Sequence, residues 1–169
     1  MNSYTIRRAT VADADIIARH RVAMFRDMGD VSTDALASAL WAASKSALDS
    51  LLRADAYVGW LAVDADDQVI AGAGAHIKAQ LPRISHDRSR IEAAAVPLVV
   101  NVYTDPAWRG RGVARALMNS LMDWASAQRF DRVLLHASDA GRHLYLSLGF
   151  HPTNEMRWSL ASATDPAPP

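Results

Sequence analysis

The sequence contains no cysteine among its 169 residues, which excludes disulfide bonds, thiolate metal sites and a cysteine nucleophile. Aromatic residues make up only 7% of the chain, and no apolar stretch approaches the length that a membrane-spanning helix requires. Eighteen basic residues balance eighteen acidic ones, so the net charge predicts neither a nucleic-acid partner nor a membrane partner. The N-terminus lacks the apolar run of a signal peptide, and we expect a cytoplasmic protein.

Half of the residues are hydrophobic, which is enough for one domain with a substantial core at this length. We predict a single domain over residues 1–162. Residues 163–169 are rich in proline and are predicted to form a disordered tail. The histidines show no ligand-like pairing at helical spacing, so no metal site is expected.

The first half of the chain predicts one strand followed by two helices. Tyr4 to Arg8 alternates like a strand, and Thr10 with Asp13 is typical of a helix start. Gly29 is expected to end this first helix, and Ser32 or Thr33 to begin the second.

The middle of the chain predicts an antiparallel hairpin and then a buried strand. Tyr57 to Val63 and Val69 to Ile77 are rich in β-forming residues, with an Asp-rich turn between them. Pro82 to Glu92 is polar and is expected to be an exposed loop before a strand over Val96 to Tyr103. A last strand is predicted over Met156 to Leu160.

An arginine- and glycine-rich turn follows that buried strand and precedes a helix. Apolar residues recur at helical spacing from Val113 onward, so Gly112 lies at the helix start. The first helical turn offers unpaired N–H groups, and glycine lets an anion approach them. Arg109 and Arg111 add positive charge, whereas Arg115 stands where a dinucleotide-binding loop needs glycine. This pattern alone fits a phosphate-binding turn and a solvated charged turn about equally.

A second segment, Val133 to Phe150, predicts a short strand and a helix that begins at Ser138 and stops before Gly149. Together, Arg109-x-x-Gly112-x-Ala114 and Leu144-Tyr145-x-x-x-Gly149-Phe150 resemble motifs of the GNAT superfamily of acetyl-CoA-dependent N-acetyltransferases. The resemblance implies an α/β (α+β) fold: a mixed, mostly antiparallel sheet with a splayed parallel strand pair, flanked by about four helices. It also implies acetyl-CoA as co-substrate, an amine of a small molecule or peptide terminus as acceptor, and it allows a homodimer.

The resemblance further implies which residues hold the co-substrate. Main-chain groups of Val102 and Thr104 would bind the pantetheine arm, and the amides from Arg109 through Ala114 would hold the pyrophosphate. Ser138 stands where many members have asparagine, so a helix cap explains it equally well, and Gly141 replaces a common alanine. The complete predicted set is Val102, Tyr103, Thr104, Arg109, Gly110, Arg111, Gly112, Val113, Ala114, Ser138, Gly141 and Tyr145.

Direct transfer of the acetyl group needs an unprotonated amine and an acid for the departing thiolate. Tyr145 matches the family tyrosine near the CoA sulfur and is the predicted general acid; the alternative is a tyrosine that only packs on the core. The sequence does not decide the identity of the general base. It could be a water relay or one of several side chains, of which Glu92 is our candidate. The other side chains considered are His76, His86, Asp105 and His136, and Asn101 either orients substrate or pairs with backbone.

Two other functions are weighed. A module of the same fold would sense acyl-CoA without transferring the acyl group, although the retained Tyr145 argues against it. Nucleic-acid binding through the scattered arginines is disfavoured by the neutral total charge and the lack of interleaved aromatic residues.

Overall fold

The structure, a computed structural model, describes residues 3–85, 87–92, 95–156 and 158. It divides into two compact units, Met1–His136 and Ala137–Pro169, which are described separately. In the described part, the second unit contains α4 (Asp139–Ser147). The first unit contains β1 (Tyr4–Arg8), α1 (Ala14–Asp27), α2 (Asp34–Arg53), β2 (Tyr57–Asp64), β3 (Val69–Ala79), β4 (Arg83–Ile84), β5 (Ile91–Glu92), β6 (Ala95–Thr104), α3 (Val113–Ala127) and β7 (Leu134–Leu135).

The main sheet has five strands in the order β1-β2-β3-β6-β7. Neighbouring strands are antiparallel except for β6 and β7, which are parallel. This arrangement confirms the predicted mixed sheet with one parallel pair, and the predicted hairpin is β2 and β3. The single domain predicted over residues 1–162 stays a prediction, and residues 163–169 lie outside the described residues.

Side chains of the residue types expected from the sequence fix the helix ends. The Asp13 carboxylate accepts the Thr10 amide at 2.8 Å and a bidentate pair of bonds from Arg7. Gly29 follows α1 with a φ of +82°, and Thr33 Oγ1 accepts the Leu36 amide at 3.1 Å at the start of α2. Of the two caps considered for the second helix, Thr33 is therefore the one used.

Helices cover both faces of the sheet. Leu61 packs in the core with Ile17 of α1 and Leu48 of α2, whereas the neighbouring Trp60 contacts the ring of Trp124 on α3. Consecutive residues of a strand point to opposite faces, so α1 and α2 lie on one face and α3 on the other. Strand β6 contacts helices on both faces, α1 on one side and α3 on the other.

Strand β3 approaches the Tyr57 ring too closely to carry a side chain at Gly74. A Cβ at Gly74 would lie 1.9 Å from Tyr57 Oη and 2.3 Å from Tyr57 Cζ, and the tyrosine is 4% exposed. Protein interiors are closely packed, so a shift of this buried ring would disturb its neighbours. Glycine is therefore required at this position by contact and not by its backbone angles.

Gly74→Ala is expected to lower the free energy of unfolding by about 1–3 kcal/mol because the new methyl group overpacks against Tyr57. Urea denaturation of the purified protein measures this change. In a Tyr57→Leu background the same substitution is expected to cost much less, since the ring that it meets is gone. An equal cost in both backgrounds would assign the effect to β-strand backbone and not to Tyr57.

Strand β6 has an irregularity in its middle. Gly74 pairs with Asn101 and Ala75 pairs with Val99, so Val100 is an extra residue that forms a β-bulge. On the other side, β7 pairs with β6 only at Leu98 and Val99. Beyond the bulge, β6 therefore continues to Thr104 with no strand on its outer edge among the described residues.

The segment Pro82 to Glu92 differs from the predicted loop. Arg83–Ile84 and Ile91–Glu92 pair as a short antiparallel hairpin, and Glu92 is buried. Polar composition concealed the pairing because exposed strands can be polar on both faces. Met156 and Trp158 belong to no strand, and the rest of the last predicted strand lies outside the described residues. No helix in the described part is long and apolar enough to cross a membrane.

Candidate functional site

The turn between β6 and α3 presents main-chain donors. Gly110 and Gly112 have φ values of +73° and +79°, which side chains rarely adopt, and a Cβ at either would meet no atom within 4 Å. Within α3, the Ala116 amide donates to the Gly112 carbonyl at 3.0 Å. In the described part of the chain, the amides from Gly110 to Ala114 have no acceptor. These donors lie at the positive end of a fifteen-residue helix.

Strand β6 contributes a second set of main-chain groups. The Asp105 amide donates to the Ile70 carbonyl at 2.9 Å, so Asp105 faces β3. Main-chain groups alternate along a strand, so Tyr103 also faces β3 whereas Val102 and Thr104 face the open edge. The outward main-chain groups of Val102 and the Thr104 amide are therefore not used by β3, and the main-chain roles expected for these two residues stay a prediction. Tyr103 instead stacks its ring on His20, with ring centroids 5.0 Å apart.

Arg109 is engaged within the protein. Its Nη2 donates to Asp27 Oδ2 at 2.5 Å, and its Nε donates to the Thr104 carbonyl at 2.9 Å. The Arg109 amide donates to the Pro106 carbonyl at 3.3 Å. Arg111 is exposed and its guanidinium lies 5.2 Å from the Trp108 ring centroid. Arg109 therefore braces the turn against α1, and Arg111 is the arginine that faces solvent.

The turn and the strand edge fit a phosphate-bearing, amide-containing molecule. The glycines leave open space beside five unpaired amides, which suits a pyrophosphate. The open edge of β6 suits an extended amide chain, which can pair with a strand as another strand would. Thr104 Oγ1 is buried and has no hydrogen-bond partner within the described residues, so a polar group at this edge remains to be satisfied. The turn thus fits the pyrophosphate of acetyl-CoA, and the open edge of β6 fits its pantetheine arm.

In the second unit, Tyr145 packs within its own helix. The Tyr145 ring contacts Phe150 edge-on, with centroids 6.0 Å apart, and burial raises the pKa of the Tyr145 hydroxyl. A Cβ at Gly141 would lie 2.7 Å from Tyr145 Cε2, which explains glycine in place of the common alanine. Ser138 Oγ accepts the Gly141 amide at 3.3 Å, so Ser138 caps α4.

Glu92, the candidate base, lies at the opposite end of β6. Its Oε2 receives Arg83 Nε at 2.7 Å and Arg132 Nη1 at 2.8 Å. The strand from Ala95 to Val102 alone spans about 20 Å. The structure therefore does not bring Glu92 to the open edge of β6, and it gives the carboxylate two ion-pair partners there.

The remaining base candidates are scattered. Asp105 follows β6 and His76 lies on β3, both half-buried, whereas His136 is exposed and His86 lies outside the described residues. Burial of His20, which the sequence did not single out, lowers the pKa of its imidazole, and its Nδ1 has no partner in the described part. Among the described residues, no group of three or more His, Cys, Asp or Glu side chains could hold a metal ion.

A polar cluster lies at the bulge of β6 and consists of Asn101, which the sequence singled out, and of Arg21 and Tyr57, which it did not. Arg21 Nη1 donates to Asn101 Oδ1 at 2.7 Å and lies 3.4 Å from the Val100 carbonyl. Asn101 Nδ2 in turn lies 3.5 Å from Tyr57 Oη, and burial raises the pKa of Tyr57 to about 12. These residues come from three distant parts of the chain, so no local pattern could have revealed their contacts.

Comparisons with known proteins agree with this geometry. The family model described as the acetyltransferase (GNAT) family matches residues 25–150. A GCN5-related N-acetyltransferase from Ralstonia eutropha is 28% identical, with a TM-score of 0.81, over 95% of this chain and 100% of that one. A predicted acetyltransferase from Clostridium acetobutylicum, solved with acetyl-CoA, is 23% identical, with a TM-score of 0.78, over 94% and 96% of the two chains.

A more distant structure is an aminoglycoside N-acetyltransferase in complex with CoA. It is 16% identical, with a TM-score of 0.67, and the match covers 95% of this chain and 96% of that one. A comparison of the sequence with curated proteins found no match. The TM-scores show that these structures share the overall fold of this chain.

Proposed function

The chain belongs to the GNAT family of acyl-CoA-dependent N-acetyltransferases, and we propose that it transfers acetyl directly from acetyl-CoA to an amine of a small molecule or peptide terminus. The observation that carries this proposal is the row of unpaired amides from Gly110 to Ala114 beside the open edge of β6. The solved relatives that hold acetyl-CoA and CoA support the choice of co-substrate. The aminoglycoside N-acetyltransferase supports an amine as acceptor.

The proposed binding mode divides the co-substrate between two main-chain surfaces. The amides from Gly110 to Ala114 hold the pyrophosphate, and the outward groups of Val102, together with the outward amide of Thr104, pair with the pantetheine arm. Arg111 adds a solvent-facing positive charge, and Arg109 holds the turn in place through Asp27 and the Thr104 carbonyl. Most contacts with the co-substrate are therefore made by main-chain groups. Any sequence that adopts the same backbone angles can supply these groups.

The proposed reaction is a direct acyl transfer. The unprotonated amine nitrogen bonds to the acetyl carbon while the carbon–sulfur bond breaks and its electron pair leaves with sulfur. The Tyr145 hydroxyl gives its proton to the departing thiolate, and water returns a proton to Tyr145. The surplus proton of the amine leaves through water, because Glu92 is held by two arginines away from the edge. With no cysteine in the chain, no thioester with the enzyme is formed.

Calorimetry with acetyl-CoA followed by an amine panel tests this function. We expect one binding site per chain, and release of CoA that depends on at least one amine of the panel. Desulfo-CoA, which lacks the thioester, is the control for binding without transfer. Absence of binding at millimolar acetyl-CoA would contradict the co-substrate, whereas binding without CoA release from any amine would favour an acyl-CoA sensor.

A further inference from the structure

Arg21 differs from the other arginines of the protein. Among the described arginines, only Arg21 and Arg132 are half-buried, while the others are exposed. Arg132 has a carboxylate partner, Glu92, at 2.8 Å. No carboxylate within residues 3–85, 87–92, 95–156 or 158 forms an ion pair with Arg21, and burial lowers the pKa of its guanidinium. Shielding a cation from water without a counter-ion costs folding free energy. An arginine kept in such a position is therefore expected to have a role.

Part of the Arg21 guanidinium is free to donate. A guanidinium carries five N–H donors, and the bonds that Arg21 makes in the described part of the chain both start from Nη1. Its plane is fixed by the Phe25 ring, whose centroid lies 4.9 Å from Cζ. The Nε and Nη2 donors form the side of the fork that binds a carboxylate through two parallel hydrogen bonds.

Arg21 meets β6 where the two parallel strands separate. It contacts Val100, the bulge residue, one position after the last residue that pairs with β7. Val102, the first outward residue of the proposed pantetheine edge, follows two positions later, about 7 Å along the strand. When the amine nitrogen of an acceptor reaches an acetyl group at this edge, the atoms of the acceptor next to that nitrogen come within reach of Arg21.

The charge of the cluster favours a carboxylate over a phosphate. Tyr57, which is neutral at physiological pH, is the titratable group that acts on Arg21, and no second cation joins it in the described part. Phosphate sites usually combine several cations or a helix N-terminus, whereas a single guanidinium matches a carboxylate in charge and shape.

We propose that the acceptor is an amine that also carries a carboxylate, as in an amino acid, and that Arg21 binds this carboxylate beside the bulge of β6. The inference rests on the proposed acetyl transfer and narrows its acceptor class. Asn101 is a positioning residue here, since its Oδ1 fixes the Arg21 fork. A peptide N-terminus, whose own carboxylate lies far along the chain, would lack this contact.

The test uses matched amines that differ only in the carboxylate: L-lysine and 1,5-diaminopentane, γ-aminobutyrate and propylamine, L-phenylalanine and phenethylamine. For the wild-type protein we expect kcat/KM to be at least about tenfold higher for the carboxylate member of at least one pair. Arg21→Met should reduce that ratio to about one, mainly through KM, with acetyl-CoA affinity retained. Arg21→Lys should keep part of the preference, since it keeps the charge and loses the fork.

Arg19→Met is the matched control. Arg19 lies on the same helix, is exposed, and pairs with Asp15 at 2.7 Å, so its loss changes the net charge equally. The preference ratio should not change in this variant. A merely structural role of Arg21 would lower the melting temperature and both kcat/KM values together, and would leave the ratio at its wild-type value.

Three results would overturn the proposal: no carboxylate preference in the wild type, an unchanged ratio in Arg21→Met, or a stronger preference for O-phosphoethanolamine over ethanolamine than for any carboxylate. If no amine releases CoA, acetyl transfer itself fails, and calorimetry on the CoA-saturated protein decides the binding site separately. Binding of the carboxylate amines that Arg21→Met abolishes would support the site. Equal or absent binding would reject it.

Discussion

Tyr145→Phe is expected to lower kcat about 100-fold or more, while the Kd for acetyl-CoA stays within about twofold. A general acid of this kind contributes roughly two to four orders of magnitude to a transfer rate. The phenylalanine ring keeps the edge-on contact with Phe150 and the close approach to Gly141, because neither contact involves the hydroxyl. The variant therefore removes a proton donor from an otherwise unchanged helix.

Released CoA measures this effect directly. A thiol reagent reports only the product, since the protein contributes no cysteine of its own. Burial raises the pKa of the Tyr145 hydroxyl, so the acid form persists throughout the neutral range. The wild-type kcat should therefore show no decline assignable to this group until above about pH 10, and the variant should lack that alkaline decline.

Gly141→Ala is a useful second variant, because its methyl group would displace the Tyr145 ring without removing the hydroxyl. It should lower kcat in the same direction by misplacing the donor. Unchanged turnover in Tyr145→Phe would remove Tyr145 from the reaction and leave it as a packing residue.

Gly112→Asp is expected to weaken acetyl-CoA binding about 100-fold or more while the melting temperature changes by only a few degrees. The carboxylate would extend into the open space beside the unpaired amides and repel the pyrophosphate. Aspartate tolerates the positive φ of this position better than most residues, and a negative charge at the start of α3 stabilises the helix. The added charge weakens acetyl-CoA binding but stabilises the helix. A loss of affinity in this variant can therefore be told apart from a loss of the folded structure.

Gly112→Asn and Gly29→Ala are the controls. Asparagine matches aspartate in shape without its charge, so a loss of about tenfold is expected from the side chain alone. Gly29 has a similar φ of +82° and open surroundings, but it follows α1, so Gly29→Ala should cost stability and spare acetyl-CoA affinity. Equal affinities for the aspartate and asparagine variants would mean that no phosphate lies at this turn.

The sequence predicts the elements whose signals are local. Thr10 with Asp13, Thr33, Ser138 and the terminating glycines lie within four residues of the backbone groups that they fix, so their roles follow from spacing. The turn before α3 is local in the same sense. The outward position of Val102 and Thr104 is different: the family resemblance implied it, because strand alternation places both residues on one edge without deciding which edge.

Contacts between distant segments were not predicted, because the signals that can be read from the sequence are local. Arg21 and Asn101 are eighty residues apart, and only the folded sheet shows that they meet at an extra residue of β6. Glu92 illustrates the converse case: a carboxylate in a polar segment resembles a free base until Arg83 and Arg132 are seen to hold it. No local sequence signal marks the bulge, since Val100 follows another valine and both residues favour strands.

The bond between Arg109 and Asp27 has a consequence for how a polyanion reaches the protein. Because Asp27 neutralises Arg109, the positive charge that the turn presents to solvent comes mainly from Arg111, and the chain as a whole carries no net charge. Long-range steering raises association rates only where such a field exists. Encounter with a coenzyme would thus be steered weakly, and discrimination would come mainly at contact, when the peptide groups of the turn come within hydrogen-bonding range.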